Sequence, residues 1–144
     1  MLELNPGPSR AVVVELLQAA GLPGSDLSDA QMRHFFYAGP GDSPAGVVGI
    51  EPCGPDALLR SLAVRADARG TGLGGALVAR AESHALSLGV STLYLLTTTA
   101  ERFFAARGFT AADRASAPPA IRQTREFADI CPGSSIFMVK RLLI

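Results

Sequence analysis

The sequence predicts an α/β domain in which a mixed sheet carries helices on both faces, in the order α, α, β, β, β, α, β, α, β, α, β. Three observations predict it. Apolar residues recur at helical spacing in segments separated by shorter β-leaning runs. A strand, helix, strand path from Ala57 to Thr97 calls for a parallel pair. Two short apolar runs joined by GPGDSPA read as an antiparallel hairpin. With 144 residues, 48% of them hydrophobic, the chain is long enough to bury one sizeable core, and residues 1–144 read as a single domain.

Each element has its own local signals. Ser9 precedes a helix over Arg10 to Ala20, because Val13, Leu16, Leu17 and Ala20 recur on one face and Gly21 stops it. After the turn at Leu22-Pro23-Gly24, Ser28 and Gln31 stand in capping-box relation at the head of a short second helix. His34 to Ala38 and Gly46 to Glu51 are the hairpin strands, and Ala57 to Val64 is nearly continuous in apolar residues, as a central strand covered on both faces would be. The longest helix follows a glycine cluster and runs to Leu88, with Leu73, Leu77, Ala81, Ala85 and Leu88 on one face and Gly89 ending it. Ser91 to Thr97 is a buried strand. Thr98 and Glu101 are spaced as a capping box for a helix Ala100 to Arg107 closed by Gly108, and Phe109 begins another extended piece. An amphipathic stretch from Ala120 to Ala128, a break at Cys131-Pro132-Gly133 and a strand from Ser135 to Leu142 complete the order.

Charge narrows the function classes. The 13 basic and 13 acidic side chains cancel, and no run of five like charges occurs, which argues against a nucleic-acid stripe or a polybasic membrane patch. No apolar run approaches the ~20 residues that cross a bilayer. The start MLELNPGPSR lacks the regions of a signal peptide, and Cys53 and Cys131 are too few for a disulfide framework, so a cytoplasmic location is expected.

The turn Arg69-Gly70-Thr71-Gly72-Leu73-Gly74-Gly75 joins the central strand to the longest helix, where backbone N–H groups and the helix dipole converge on a space suited to a phosphate. Gly70, Gly72 and Gly75 satisfy the dinucleotide spacing G-x-G-x-x-G. However, five residues separate them from the strand end at Val64, and no acidic residue stands ~20 positions on to take a ribose. The Lys and Ser or Thr of a nucleotide-hydrolysing loop are also missing.

Leu62 to Gly74, LAVRADARGTGLG, resembles the acyl-CoA motif of the GNAT superfamily of N-acetyltransferases, with Arg69, Gly72 and Gly74 at its signature positions. The upstream Leu62-x-Val64, the long helix and the R-G-F phrase at Arg107 to Phe109 extend the match. The resemblance implies a mostly antiparallel sheet whose central parallel strands, Ala57 to Val64 and Ser91 to Thr97, splay to admit acetyl-CoA. It implies that the amides from Gly70 to Gly75, with Arg69, Thr71 and Leu73 among them, chelate the pyrophosphate. Leu62, Ala63 and Val64 would pair with the pantetheine arm, and Phe104 would lie against the cofactor.

Two positions depart from the family pattern. Where many members place a proton-donating Tyr, this chain has Phe104. Where some place a Glu on the central strand, it has Leu59 and Arg60. A thiolate is a fairly good leaving group that water can protonate, so the first loss is tolerable. Glu51, on the neighbouring strand, is the nearest alternative base by topology. His34 and His84 read as structural, neither joins a cysteine at metal-ligand spacing, and no metal is expected. No G-x-S-x-G elbow supports a hydrolase triad.

The phrases Thr97 to Phe104, Pro118 to Phe127 and Cys131-Pro132 resemble the arsenic-resistance-associated N-acetyltransferases and the acetyltransferase domain of amino-acid N-acetyltransferases such as N-acetylglutamate synthase. That resemblance implies acetylation of a small amino-acid-like amine. Arg122 and Arg125, at i, i+3, together with Arg60 near the splay, are candidates to hold a substrate carboxylate in a guanidinium fork. The i, i+4 spacing of Arg122 and Glu126 also fits an ordinary surface ion pair. A non-catalytic acyl-CoA-binding module is the alternative to an enzyme, and a homodimer is left open.

Overall fold

The structure is a computed structural model that describes residues 3–130 and 134–142, without the side chains of residues 129 and 130. Its strands are β1 (Leu4–Pro6), β2 (Phe35–Ala38), β3 (Gly46–Cys53), β4 (Asp56–Val64), β5 (Thr92–Thr97), β6 (Thr110–Ala111) and β7 (Ile136–Arg141). The α-helices are α1 (Arg10–Ala19), α2 (Leu73–Ser87), α3 (Glu101–Ala105) and α4 (Pro119–Arg122).

The strands form one seven-stranded sheet in the order β1-β2-β3-β4-β5-β7-β6, with β4 in the middle as expected. The β4–β5 pair is parallel and the other ladders are antiparallel. The hydrophobic pattern explains why both faces are covered, since neighbouring residues of a strand point to opposite sides. Phe36, Val48 and Leu59 join the core beneath α2, built on Leu77, Val78, Ala81 and Ala85. Phe35 and Val47 join α1 through Val13 and Leu17 on the other face, and Leu58 joins Ile121 and Phe137 further along that face. Each such fully buried aliphatic or aromatic side chain contributes about 1.5–3 kcal/mol.

The structure corrects several local expectations. β1 was not expected; its three residues and Pro6 give little pattern to read, and it pairs at the sheet edge with β2, where proline is tolerated. The second helix is a 3-10 turn over Asp29–His34, although the Ser28–Gln31 capping box is present. Leu88 lies past the end of α2 and is 44% exposed. No capping box opens α3: its N-cap is Ala100, whose N–H donates to the Thr97 hydroxyl at 3.0 Å. The stretch expected to be one amphipathic helix splits into α4 and a π-helical turn over Glu126–Ile130. The break placed at Cys131-Pro132-Gly133 lies outside the described residues.

Candidate active site

The parallel ladder between β4 and β5 holds for only three pairs, from Asp56 with Thr92 to Leu58 with Tyr94. Beyond Leu58 the two strands run on unpaired and leave an open wedge. β4 is also bulged there: Gly49 pairs with Arg60 and Val47 with Ala63, so Ser61 and Leu62 together oppose Val48. Ser61 takes a φ of +61°, the one non-glycine residue in that region among those described. A cavity of about 800 Å³ occupies the wedge, walled by Leu59–Val64 of β4, Leu95–Thr97 of β5, the turn before α2, and the loop at Leu22-Pro23.

One end of the cavity is made of backbone and has the geometry to seat an anion. Gly72 is the N-cap of α2 with φ +85°, a left-handed conformation that glycine adopts without the cost a Cβ brings. No side chain caps this helix and its first turn holds no acid, so the free N–H groups and positive dipole end at Gly72–Gly75 are presented to the cavity. Gly74 allows close packing, because a Cβ there would stand 3.1 Å from the Phe103 ring. The Arg107 guanidinium lies over Phe103, 3.8 Å from the ring centroid, and donates to the Phe103 carbonyl at 3.0 Å. Arg69, which donates to the Val64 carbonyl, is a second cation lining this end.

The opposite region is a cluster of side chains around Arg60, whose side chain is 0% exposed. Its Nη1 and Nη2 donate to both carboxylate oxygens of Asp26 at 2.6 and 2.7 Å, Nη1 also reaches Glu51 Oε1 at 3.1 Å, and Nε donates to Ser61 Oγ at 3.1 Å. Glu126 Oε1 stands 3.9 Å from Arg60 Nε, an ion-pair distance rather than a hydrogen bond. Burial works against the Arg60 charge, but Asp26, Glu126 and Glu51 outweigh it and raise its pKa. Burial likewise opposes the Asp26 charge, and the bidentate Arg60 contact overcomes it and lowers the pKa. For Glu126 burial dominates: despite Arg60, and with Asp26 and Glu51 adding repulsion, its pKa is raised to about 7.

The structure therefore sorts the expected site residues. Leu62, Ala63, Val64, Arg69, Gly70, Gly72, Leu73, Gly74, Gly75, Phe104 and Arg60 all line the cavity. Thr71 does not; its hydroxyl turns back to the Ala68 carbonyl at 2.6 Å. Arg60 lines the cavity but is not a free fork, because Asp26 already fills it. Glu51 pairs with Arg60 outside the cavity lining. Arg122 and Arg125 are not held on one helical face, since α4 ends at Arg122, and neither lines the cavity. Glu126 pairs with Arg60 across the fold and is 4% exposed, in place of the surface pair with Arg122 that the spacing suggested. His34 and His84 meet each other, Nδ1 to Nε2 at 3.0 Å, away from the cavity lining. Among the described residues no group of three His, Cys, Asp or Glu is placed to hold a metal ion, and no helix is long and apolar enough to cross a membrane.

Sequence reasoning missed Asp26, Arg107 and Glu126. Glu126 stood inside the phrase Pro118 to Phe127 that resembles amino-acid N-acetyltransferases, but its spacing from Arg122 read as a surface pair, and nothing local indicated that Asp26 would reach Arg60 across 34 positions.

Comparison with known proteins bears on this geometry. The sequence pattern of the acetyltransferase (GNAT) family matches residues 10–109. No curated protein matches the chain. Among solved structures, N-acetylglutamate synthase from Neisseria gonorrhoeae, complexed with coenzyme A and N-acetyl-glutamate, aligns with a TM-score of 0.81 at 21% identity over 100% of this chain. This chain spans only 36% of that protein. Rv2747 from Mycobacterium tuberculosis, in complex with CoA and NLQ, aligns with a TM-score of 0.76 at 20% identity over 98% of this chain and 99% of its own. An acetyltransferase of the GNAT family from Staphylococcus aureus aligns with a TM-score of 0.76 at 14% identity over 99% of each chain.

Proposed function

Because the chain belongs to the acetyltransferase (GNAT) family, whose co-substrate is acetyl-CoA, we propose that it transfers an acetyl group to the amine of a small amino-acid-like molecule. The observation that carries this reading is the wedge between β4 and β5, which runs from an uncapped helix N-terminus to a buried carboxylate. The residues present suit acetyl-CoA. A Cβ at Gly70 or Gly72 would meet nothing within 4 Å, so the turn leaves room for a diphosphate beside its N–H groups, and Arg69 and Arg107 add positive charge. When bound, acetyl-CoA supplies an activated acyl carbon. The bulge at Ser61–Leu62 supports this reading further, because it takes β4 backbone that lines the cavity out of its ladder, and a backbone N–H so freed would be able to stabilise an oxyanion.

The amino-acid-like acceptor is supported by the likeness of the chain's second half to amino-acid N-acetyltransferases, and a cytoplasmic location fits such a substrate. Phe104 is buried in the cavity wall and has no hydroxyl to donate, and a thiolate needs no protein acid there because water can protonate it. Coenzyme A release measured over a panel of amino acids and of the same compounds without the carboxylate tests the reading. Turnover of amino acids well above the decarboxylated amines is expected. Acetyl-CoA binding with no amine-dependent release would instead identify an acyl-CoA-binding module.

A further inference from the structure

Among the described residues, three of the four charged ones that line the cavity are arginines. Arg60 is saturated by Asp26, Glu51 and Ser61, and Arg69 and Arg107 stand at the turn. Glu126 is the only carboxylate that lines the cavity among the described residues. It comes from the π-helical turn after α4, which closes the cavity from the side opposite the glycine turn's helix. We propose that Glu126 is the catalytic base, which takes a proton from the acceptor's ammonium group, and that Arg60 is a positioning residue that aims it from β4. This rests on the acetyltransferase reading above.

The chemistry follows from the surroundings. Glu126 is faced by Arg60 from β4, by Asp26 from the loop after α1, and by Glu51 from β3. The two further carboxylates make the cluster acidic overall, which attracts a cationic ammonium. Burial keeps Glu126 a better proton acceptor than an exposed glutamate, with its pKa near 7, where proton removal and its own ionisation are balanced. The ion-pair distance to Arg60, rather than a short hydrogen bond, leaves its oxygens able to receive that proton.

The balance closes in five movements. An ammonium N–H proton passes to Glu126, and the freed nitrogen pair forms the C–N bond at the thioester carbon while the carbonyl π pair moves onto oxygen. That pair then returns and the C–S bond breaks, its electrons leaving on sulfur. A second N–H proton reaches the thiolate through water, and Glu126 gives its proton to solvent. One amide, one free thiol and one proton result.

Three proteins test this: wild type, Glu126→Gln and Glu126→Asp. In wild type, kcat/KM for the acceptor falls on the acid side with a midpoint near 7, and 13C NMR of the Glu126 carboxyl, assigned by its absence in Glu126→Gln, titrates with the same midpoint without any substrate. Glu126→Gln lowers turnover at pH 7 by about 10²–10⁴-fold and abolishes that acid limb, leaving the rate to rise with the amine's own ionisation. Its acetyl-CoA affinity stays near wild type. Glu126→Asp, which retracts the carboxylate by one methylene, keeps the acid limb at a reduced kcat, and it decides the matter should the Gln variant not fold. A wild type that acetylates amines while Glu126→Gln matches its rate and pH profile overturns this inference alone. A wild type that acetylates no amine overturns the proposed function and this inference with it.

Discussion

The turn from Arg69 to Gly75 and the cluster around Arg60 wall the same cavity, yet they are made of different material. The turn works through backbone: seven consecutive residues, positive φ at Gly70 and Gly72, and the free N–H groups of α2. The cluster works through side chains from four places far apart in the chain, Asp26, Glu51, Arg60 and Glu126, that meet only in the folded protein. A backbone site tolerates any side chain that leaves its dihedrals and space alone. A side-chain site of buried charge fails when one member is removed. The account can be broken or sharpened at that difference.

The largest effect is expected at Arg60. Arg60→Met leaves Asp26 and Glu126 buried without their counter-charge, and removing one partner of a buried ion cluster costs about 3–5 kcal/mol. Urea unfolding at pH 7 measures it; a loss below about 1 kcal/mol would show that water reaches the cluster freely. Gly72→Val is expected to cost about 1–2 kcal/mol in the protein without ligand, because of the φ of +85° and not of any clash, since a Cβ there meets nothing within 4 Å. Equal stability of the two proteins would mean that the turn relaxes to another conformation.

A smaller effect is expected at the half-buried His34–His84 pair, which lies away from the cavity lining. Burial lowers both pKa values, and Arg33 adds to this at His34, while His34 and Arg80 add to it at His84. The folded protein therefore binds fewer protons here than the unfolded chain, and this contribution is lost as pH falls from 6.5 through the lowered folded values. Glu126 has the opposite sign: its raised pKa favours the folded state at low pH and that advantage fades between 4.5 and about 7. His84→Gln should make unfolding stability less sensitive to pH between 7.5 and 5.5, by less than about 1 kcal/mol. An unchanged slope would mean the pair does not titrate in that window.

The same contrast explains what could be read in advance. Strand and helix periodicity, the glycine cluster before Leu73 and the parallel β4–β5 pair are local patterns, and the structure reproduces them within one or two residues at most boundaries. The Arg60 cluster is not local. Glu51 looked like a base because it stands on the strand beside β4, but in the fold it shares Arg60 with Asp26. Glu126 looked like a helix-surface residue because Arg122 precedes it by four, but α4 ends at Arg122 and the π-helical turn presents Glu126 inward. Helix periodicity can describe such a residue only if the helix continues.

Titration of acetyl-CoA by calorimetry into wild type, Gly74→Leu and Glu126→Gln tests the division of the cavity most directly. Gly74→Leu puts a side chain between the helix amides and the Phe103 ring, 3.1 Å from where its Cβ would stand, and should weaken binding by about tenfold or more. Glu126→Gln should bind as wild type does. No binding to wild type, or a Glu126→Gln loss as large as that of Gly74→Leu, would contradict a cavity whose backbone end holds the cofactor and whose side-chain end serves the amine.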